Sequence, residues 1–141
     1  MQNIICFFLL IFLSSCGVSE GQIPEAAKKN FQKKYPKENS PKWEKDDKGN
    51  YEAHFKKDGE GYRADFDDNG NWIETENSIK YKNLPDAVKD AIKRDYDKDD
   101  IVEVERVESA KKGLFYDVEF KEKGKKHDVE YNSSGVIIGR E

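Results

Sequence analysis

The stretch 65-DFDDNGNWIETE-76 has the residue types and the spacing of a calcium-binding loop. It follows the pattern D-x-[DN]-x-[DN]-G-x5-E, with oxygen-bearing side chains at Asp65, Asp67, Asn69 and Glu76. Such oxygens suit Ca²⁺, which takes about six to eight of them. Calcium binding through these four side chains is therefore one hypothesis for the function of the protein.

The two histidines are the other side chains that could do chemistry. His54 lies in a polar run beside Glu52 and Lys56, which is typical of a solvated imidazole. His127 aligns with Tyr62 in a matching segment, which predicts a core or rim position. Neither is placed with a Ser or Cys nucleophile and a carboxylate, and two His without Cys at ligand spacing do not support zinc. We therefore expect no catalytic residue, no cofactor and no enzyme activity.

Residues 1–16 are typical of an export signal. The apolar run from Ile4 to Leu13 is too short to span a bilayer as a helix. It ends in Leu13-Ser14-Ser15-Cys16, which resembles the lipobox of bacterial lipoproteins, and that resemblance implies a lipid on Cys16. We then expect an outer-membrane anchor facing the periplasm. Since Met1–Asn3 lacks Lys and Arg, an ordinary signal peptide or an uncleaved anchor remains the alternative.

Composition predicts one folded domain without disulfides after the signal. Both cysteines, Cys6 and Cys16, lie within it. The chain has 38% charged and 12% aromatic residues, so we expect a small aromatic core under a charged surface. The net charge of −4 comes from interspersed acids and bases, which argues against a nucleic-acid partner. We expect a monomer.

An internal repeat organises the rest of the sequence. Segment 23-IPEAAKKNFQKKYP-36 aligns with 84-LPDAVKDAIKRDYD-97, and 62-YRADFDDNGNWI-73 aligns with 127-HDVEYNSSGVII-138. Each copy begins with an apolar stripe at helical spacing after a proline and continues with four period-two runs. We predict two tandem repeats of one helix plus a four-stranded antiparallel meander. The expected boundaries are a signal at 1–16, a tether at 17–22 and one α+β domain at 23–141, with repeats at 23–76 and 84–141.

Alternation along the runs assigns two faces to the predicted sheet. Apolar residues such as Ala53, Phe55 and Phe66 should lie under the helices. The opposite face should be charged, without an aromatic side chain on the second and third strands of either copy. The candidate interaction face, including two tryptophans whose orientation the sequence leaves open, is Trp43, Glu52, His54, Lys56, Arg63, Trp72, Glu119 and Lys121.

The paired patterns Y-E-A-H-F-K-K-D-G and Y-R-A-D-F-D-D-N-G-N-W, behind a lipoprotein-type signal, resemble the PepSY-like, β-lactamase-inhibitor-like family of exported bacterial proteins. The resemblance covers about residues 23–141. It implies a fold like that of β-lactamase inhibitor protein (BLIP), with helices on one side of an antiparallel sheet and the other side open. One branch of the family inhibits an enzyme through aromatic side chains on that open side.

Three functions therefore remain for comparison with the structure. The leading hypothesis is a non-enzymatic envelope lipoprotein that binds a protein or ligand. The alternatives are an inhibitor of an exported protease or β-lactamase, and a calcium-binding protein. The segment of the second repeat that aligns with the calcium-type stretch is 130-EYNSSGVIIGRE-141. It keeps the glycine but not all of the calcium-ligand positions. Both copies are therefore interpreted as hairpins between a third and a fourth strand.

Overall fold

The computed structural model describes residues 22–140, so Cys16 and the predicted signal lie outside the described residues. In the described chain a helix is followed by four strands, and this order occurs twice. The elements are α1 Glu25–Lys34, β1 Lys42–Lys45, β2 Tyr51–Lys57, β3 Glu60–Phe66, β4 Trp72–Ser78, α2 Asp86–Asp95, β5 Ile101–Ser109, β6 Gly113–Glu122, β7 Lys125–Asn132 and β8 Ile137–Arg140. Short 3-10 turns at Tyr81–Asn83 and Lys98–Asp100 flank α2.

Each helix begins immediately after a proline, Pro24 or Pro85, as the sequence predicts. Proline is tolerated there because the first turn of a helix leaves its N–H groups without partners. An acidic residue in the first turn and basic residues in the last turn of each helix complement the helix dipole. Within residues 22–140, no helix is long and apolar enough to cross a membrane.

The eight strands form one antiparallel sheet in the order β1 to β8. The β4–β5 pairing, from Glu74 opposite Ser109 to Ser78 opposite Glu105, joins the two halves into this sheet. The hairpin turns Asp58-Gly59 and Lys123-Gly124 have positive φ at both residues, which matches the right-handed twist of the strands. Residues 22–140 therefore form a mixed α+β fold with two α-helices and a continuous sheet.

Both helices lie on the same side of the sheet, each above its own apolar cluster. Phe31 of α1 packs with Phe55 and Phe66, at ring-centroid distances of 5.1 and 6.5 Å. Ile92 of α2 packs in a second cluster with Phe120 and other buried residues. No helix within residues 22–140 packs on the other side of the sheet, and we call that side the open face.

Trp43 and Trp72 do not lie on the open face, where the sequence analysis provisionally placed them. Trp43 is paired with Ala53, so its ring points to the helix side and packs 5.9 Å from Phe31. A β-bulge at the end of β3 pairs Trp72 with Phe66, which turns Trp72 to the same side. The candidate interaction face therefore loses both tryptophans.

Candidate functional site on the open face

Strand pairing brings most of the predicted interaction face together. Glu52 pairs with Asp65, and His54 pairs with Arg63, so these residues form neighbouring rows on β2 and β3. Lys56 lies next along the same side of β2. In the second half, Glu119 pairs with Asp128, and Lys121 pairs with Lys126. The further acidic positions in these rows are Glu44, Glu74, Glu76, Glu103, Glu105, Asp117 and Glu130.

An apolar floor lies in the middle of the open face. Val107 and Phe115 face each other across β5 and β6, and each is only 3% exposed. The Lys112 ammonium lies 5.3 Å from the centre of the Phe115 ring and binds both carboxylate oxygens of Glu130, at 2.5 and 2.7 Å. The prediction of a face without an aromatic residue on these strands was wrong. Leu114, Phe115 and Tyr116 are three consecutive apolar residues near the start of β6, so alternation of polar and apolar residues does not assign Phe115 to a face.

The second half of the open face is acidic. Asp117 pairs with Glu105 on one side and with Glu130 on the other, so three carboxyl groups stand in one row. Burial and, to a lesser extent, the nearby Asp128, Glu130 and Glu105 together raise the pKa of Asp117 to about 7. Its Oδ1 atom is buried and has no hydrogen-bond partner among residues 22–140. A cavity of about 140 Å³ here is lined by acidic residues: Glu103, Glu105, Asp117, Glu119 and Asp128.

The first half of the open face is organised around Arg63. Its guanidinium lies 3.2 Å from Asp65 and 3.0 Å from Glu76, with Glu52 at 3.8 Å. Burial and neighbouring carboxylates, only partly offset by Arg63, raise the pKa of Asp65 to about 6 and that of Glu76 to about 8. Burial also raises the pKa of Glu105, which pairs with Ser78 of β4. Glu76 is therefore mostly protonated at neutral pH, and Asp117 is close to the midpoint of its titration.

The calcium-type stretch forms the hairpin between β3 and β4. Asp67 closes the turn, because its Oδ1 accepts the backbone N–H groups of Asn69 at 2.9 Å and Asn71 at 2.7 Å. Asp65 and Glu76 instead project from the strands onto the open face, where both contact the Arg63 guanidinium. Among residues 22–140, these carboxylates are not grouped closely enough to share an ion. This geometry is that of a hairpin, and the matching Asn132 turn has the same hydrogen bonds to Ser134 and Val136.

Sequence reasoning missed the raised pKa values and the acidic rows across strands. Alternation correctly placed Asp117, Asp128 and Glu130 on the open face, but it gave no register between β5 and β6. Only the register puts Glu105 directly opposite Asp117. The sequence signal that could have indicated this row is the concentration of acids at alternate positions of neighbouring runs.

Comparisons with known proteins identify relatives. The family model described as "Putative beta-lactamase-inhibitor-like, PepSY-like" matches residues 14–60 and 49–139. A BLIP-like protein from Bacteroides fragilis is 28% identical, with a TM-score of 0.70 over 86% of this chain and 88% of that chain. A DUF2874 family protein from Bacteroides ovatus is 24% identical, with a TM-score of 0.73 over 84% and 86% of the chains. A "putative periplasmic" protein from Bacteroides eggerthii is 19% identical, with a TM-score of 0.71 over 84% and 87%.

The comparison with curated proteins gave no match. The family model, in contrast, spans both helices and all strands of the described chain, and the solved relatives cover nearly the same length. The resemblance inferred from the strand patterns is thus confirmed: the chain belongs to the PepSY-like, β-lactamase-inhibitor-like family.

Proposed function

We propose that this protein is a non-enzymatic binding module of the bacterial envelope and that it holds a basic segment of a partner protein on the open face. The observation that carries the proposal is a depression of about 390 Å³ in the open face, with an apolar floor at Val107 and Phe115. Acidic residues in its walls outnumber basic ones, with Glu74, Glu76, Glu103, Glu105, Asp117, Asp128 and Glu130 against Lys48, Arg63 and Lys112. Lysine and arginine fit such a site because each has an apolar stem and a charged head.

Electrostatics favours a cationic partner over a neutral or acidic one. The carboxyl groups of Asp117 and Glu76 hold protons near neutral pH because burial disfavours their charged forms. An approaching ammonium or guanidinium group stabilises the charged form, so binding releases protons and adds attraction. The Lys112 ammonium lies over the Phe115 ring, and a lysine or arginine of the partner can replace it there. Binding should therefore strengthen as pH rises and weaken as salt rises.

The test is affinity capture from the envelope extract of the source bacterium, using variants of equal net charge. The variant Glu103→Gln/Asp128→Asn removes two carboxylates from the lining of this depression. The control variant Glu25→Gln/Asp90→Asn removes two exposed charges from the helices. We expect the wild type and the control to retain the same protein in low salt, and the face variant to lose it. Equal retention by both variants would contradict binding through this face.

We infer that the protein is anchored in the envelope by a lipid on Cys16. The support is the lipobox-like ending Leu13-Ser14-Ser15-Cys16 and the description of a structural relative as a "putative periplasmic" protein. The described domain begins a few residues after Cys16, since Ile23 is already buried in the first apolar cluster. A short tether would therefore hold the sheet close to the membrane surface.

Inhibition of an exported protease or β-lactamase is our second proposal. The family description and the position of Phe115 on the open face favour it. Against it, Trp43 and Trp72 point toward the helices, and the Phe115 ring is exposed only if Lys112 moves away. The test is a titration of purified β-lactamase and envelope protease with the protein. Inhibition that Phe115→Ala abolishes would support this proposal, and full enzyme activity at saturating protein would oppose it.

We also infer that the two halves are copies of one ancestral unit. Two features beyond the sequence pattern support a duplication. The β-bulges at Asp65/Phe66 and Glu130/Tyr131 occupy equivalent places. Gly70 contacts α1 at Ala27, and Gly135 contacts α2 at Ala87, so the same hairpin packs on the same turn of each helix.

A further inference from the structure

Three side chains on β1 and β2 converge at the edge of the open face. Glu44 lies directly opposite Glu52 in the strand pairing, and His54 follows two positions along β2 on the same side. The Nε2 atom of His54 lies 3.3 Å from Oε2 of Glu52 and 3.8 Å from Oε2 of Glu44. One nitrogen and two oxygens thus lie within 4.8 Å of one another.

Neighbouring cations orient both carboxylates. Lys42 binds Oε1 of Glu44 at 2.5 Å, and Arg63 lies 3.8 Å from Oε1 of Glu52. Each carboxylate therefore has one oxygen beside a cation and its other oxygen toward the imidazole. Groups that hold a ligand in place in this way are a usual feature of metal sites. Two like charges directly opposite each other on neighbouring strands are otherwise unfavourable, so a cation between them would stabilise the pair.

We propose that Glu44 Oε2, Glu52 Oε2 and His54 Nε2 form a three-ligand site for a divalent transition metal such as Zn²⁺. Ligands about 2.0–2.1 Å from a tetrahedral zinc ion are about 3.3 Å apart, and the His54–Glu52 pair already has that separation. The Glu44 Oε2 atom, which lies 3.8 Å from His54 Nε2 and within 4.8 Å of Glu52 Oε2, must move closer to both to complete this geometry. The His54 side chain is 40% exposed, which leaves the fourth position to water or to a donor from a partner.

The chemistry of the ligands selects the class of metal. Imidazole nitrogen is a good ligand for Zn²⁺, Ni²⁺ and Cu²⁺, whereas Ca²⁺ and Mg²⁺ take oxygen ligands. The proposed site thus differs from the hypothetical calcium site at Asp65–Glu76 both in its ligands and in the metal that it would bind. It also does not depend on the proposed binding of a basic protein, because it lies on β1 and β2, away from the acidic rows of β5 to β7. Sequence spacing could not reveal it, because Glu44 comes from the neighbouring strand.

The test is a calorimetric titration, in which Zn²⁺ is added to the full-length chain in detergent solution. Cys6→Ser and Cys16→Ser are present in every sample, so that neither thiol competes for the metal. His127→Gln is the matched control, since the chain has only two histidines. We expect one equivalent of Zn²⁺ to bind to the parent protein and to the control, and His54→Gln to lower the affinity at least ~10-fold.

A second measurement keeps the proposal testable if a substitution disturbs the fold. The side-chain nitrogen resonances of both histidines are followed in the parent protein as Zn²⁺ is added. We expect the His54 signals to shift at one equivalent while the His127 signals stay in place, and Ca²⁺ to move neither. Unchanged His54 signals, or equal zinc affinity for His54→Gln and His127→Gln, would overturn the proposal.

Discussion

A methyl group added at Gly70 should destabilise the fold in two ways, through the backbone conformation and through packing, and the two costs can be measured separately. It lies in the β3–β4 hairpin with φ +80°, and the hairpin packs against the first turns of α1. A Cβ atom there would overlap the backbone nitrogen of Ala27 and lie 2.7 Å from the carbonyl carbon of Ala26. The Asn30 side chain also donates a 2.7 Å hydrogen bond to the Gly70 carbonyl oxygen. The hairpin therefore has little freedom to move away.

Gly59 separates the backbone effect from the packing effect. It has φ +86° in the β2–β3 turn, but a Cβ atom added there meets nothing within 4 Å. Gly59→Ala should thus cost only the left-handed conformation, about 1–2 kcal/mol. Gly70→Ala adds the overlap with helix backbone, which at typical overpacking costs contributes about 1–3 kcal/mol more. We expect a total near 2–5 kcal/mol, a large share of the stability of a domain of this size.

The measurement is the free energy of unfolding in urea for both variants and the wild type at one pH. The second half of the molecule offers an independent pair, because a Cβ at Gly135 would overlap the Ala87 carbonyl oxygen while Gly124 is open. Both close-packed glycines should be more sensitive than both open ones. Losses for Gly70→Ala and Gly59→Ala within about 0.5 kcal/mol of each other would refute the packing argument.

Three further predictions concern other parts of the molecule. Because burial raises the pKa of Asp117 to about 7, the folded state binds more protons than the unfolded state from about pH 4 to 7. The free energy of unfolding should therefore fall as pH rises through that range. Asp117→Asn should make the free energy of unfolding in urea less dependent on pH, and it should stabilise the protein at pH 8 but not at pH 4. An unchanged pH dependence would contradict a raised pKa at Asp117. Thr75→Val should cost about 1–3 kcal/mol in the same assay, because it leaves the Trp72 N–H and the Tyr35 hydroxyl without their partner, and a loss under about 0.5 kcal/mol would argue against this network. Cys16→Ser should move the protein from the membrane pellet to the soluble fraction, and a variant that stays in the pellet would exclude lipid anchoring.

Local sequence rules predicted the elements and most of the faces. Proline positions and apolar spacing located both helices, and alternation identified all eight strands to within a few residues. Glycine in a short polar turn between two strand-like runs predicts a tight hairpin, and Gly59 and Gly124 both have the positive φ that such turns require. These features were predictable because each depends on a few consecutive residues.

Features set by pairing between strands could not be predicted in this way. The bulge that turns Trp72 toward α1 involves a register shift between β3 and β4. The Val107–Phe115 pair depends on the β5–β6 register, and the Glu44–Glu52 pair depends on the β1–β2 register. A shift of one residue moves a whole strand to the other face, so alternation alone does not define a site shared by several strands.

The two faces of the sheet follow different physical rules, and this difference further supports the assignment of binding to the open face. On the helix side, apolar residues of the strands are buried against the helices, as the hydrophobic effect favours. On the open face, Glu105, Asp117 and Glu130 stand in one row across three strands, and Glu44 stands opposite Glu52. Like charges in such positions destabilise a sheet. Departures from local consistency are expected mainly where a protein binds something, and a cation or a basic partner would remove this repulsion.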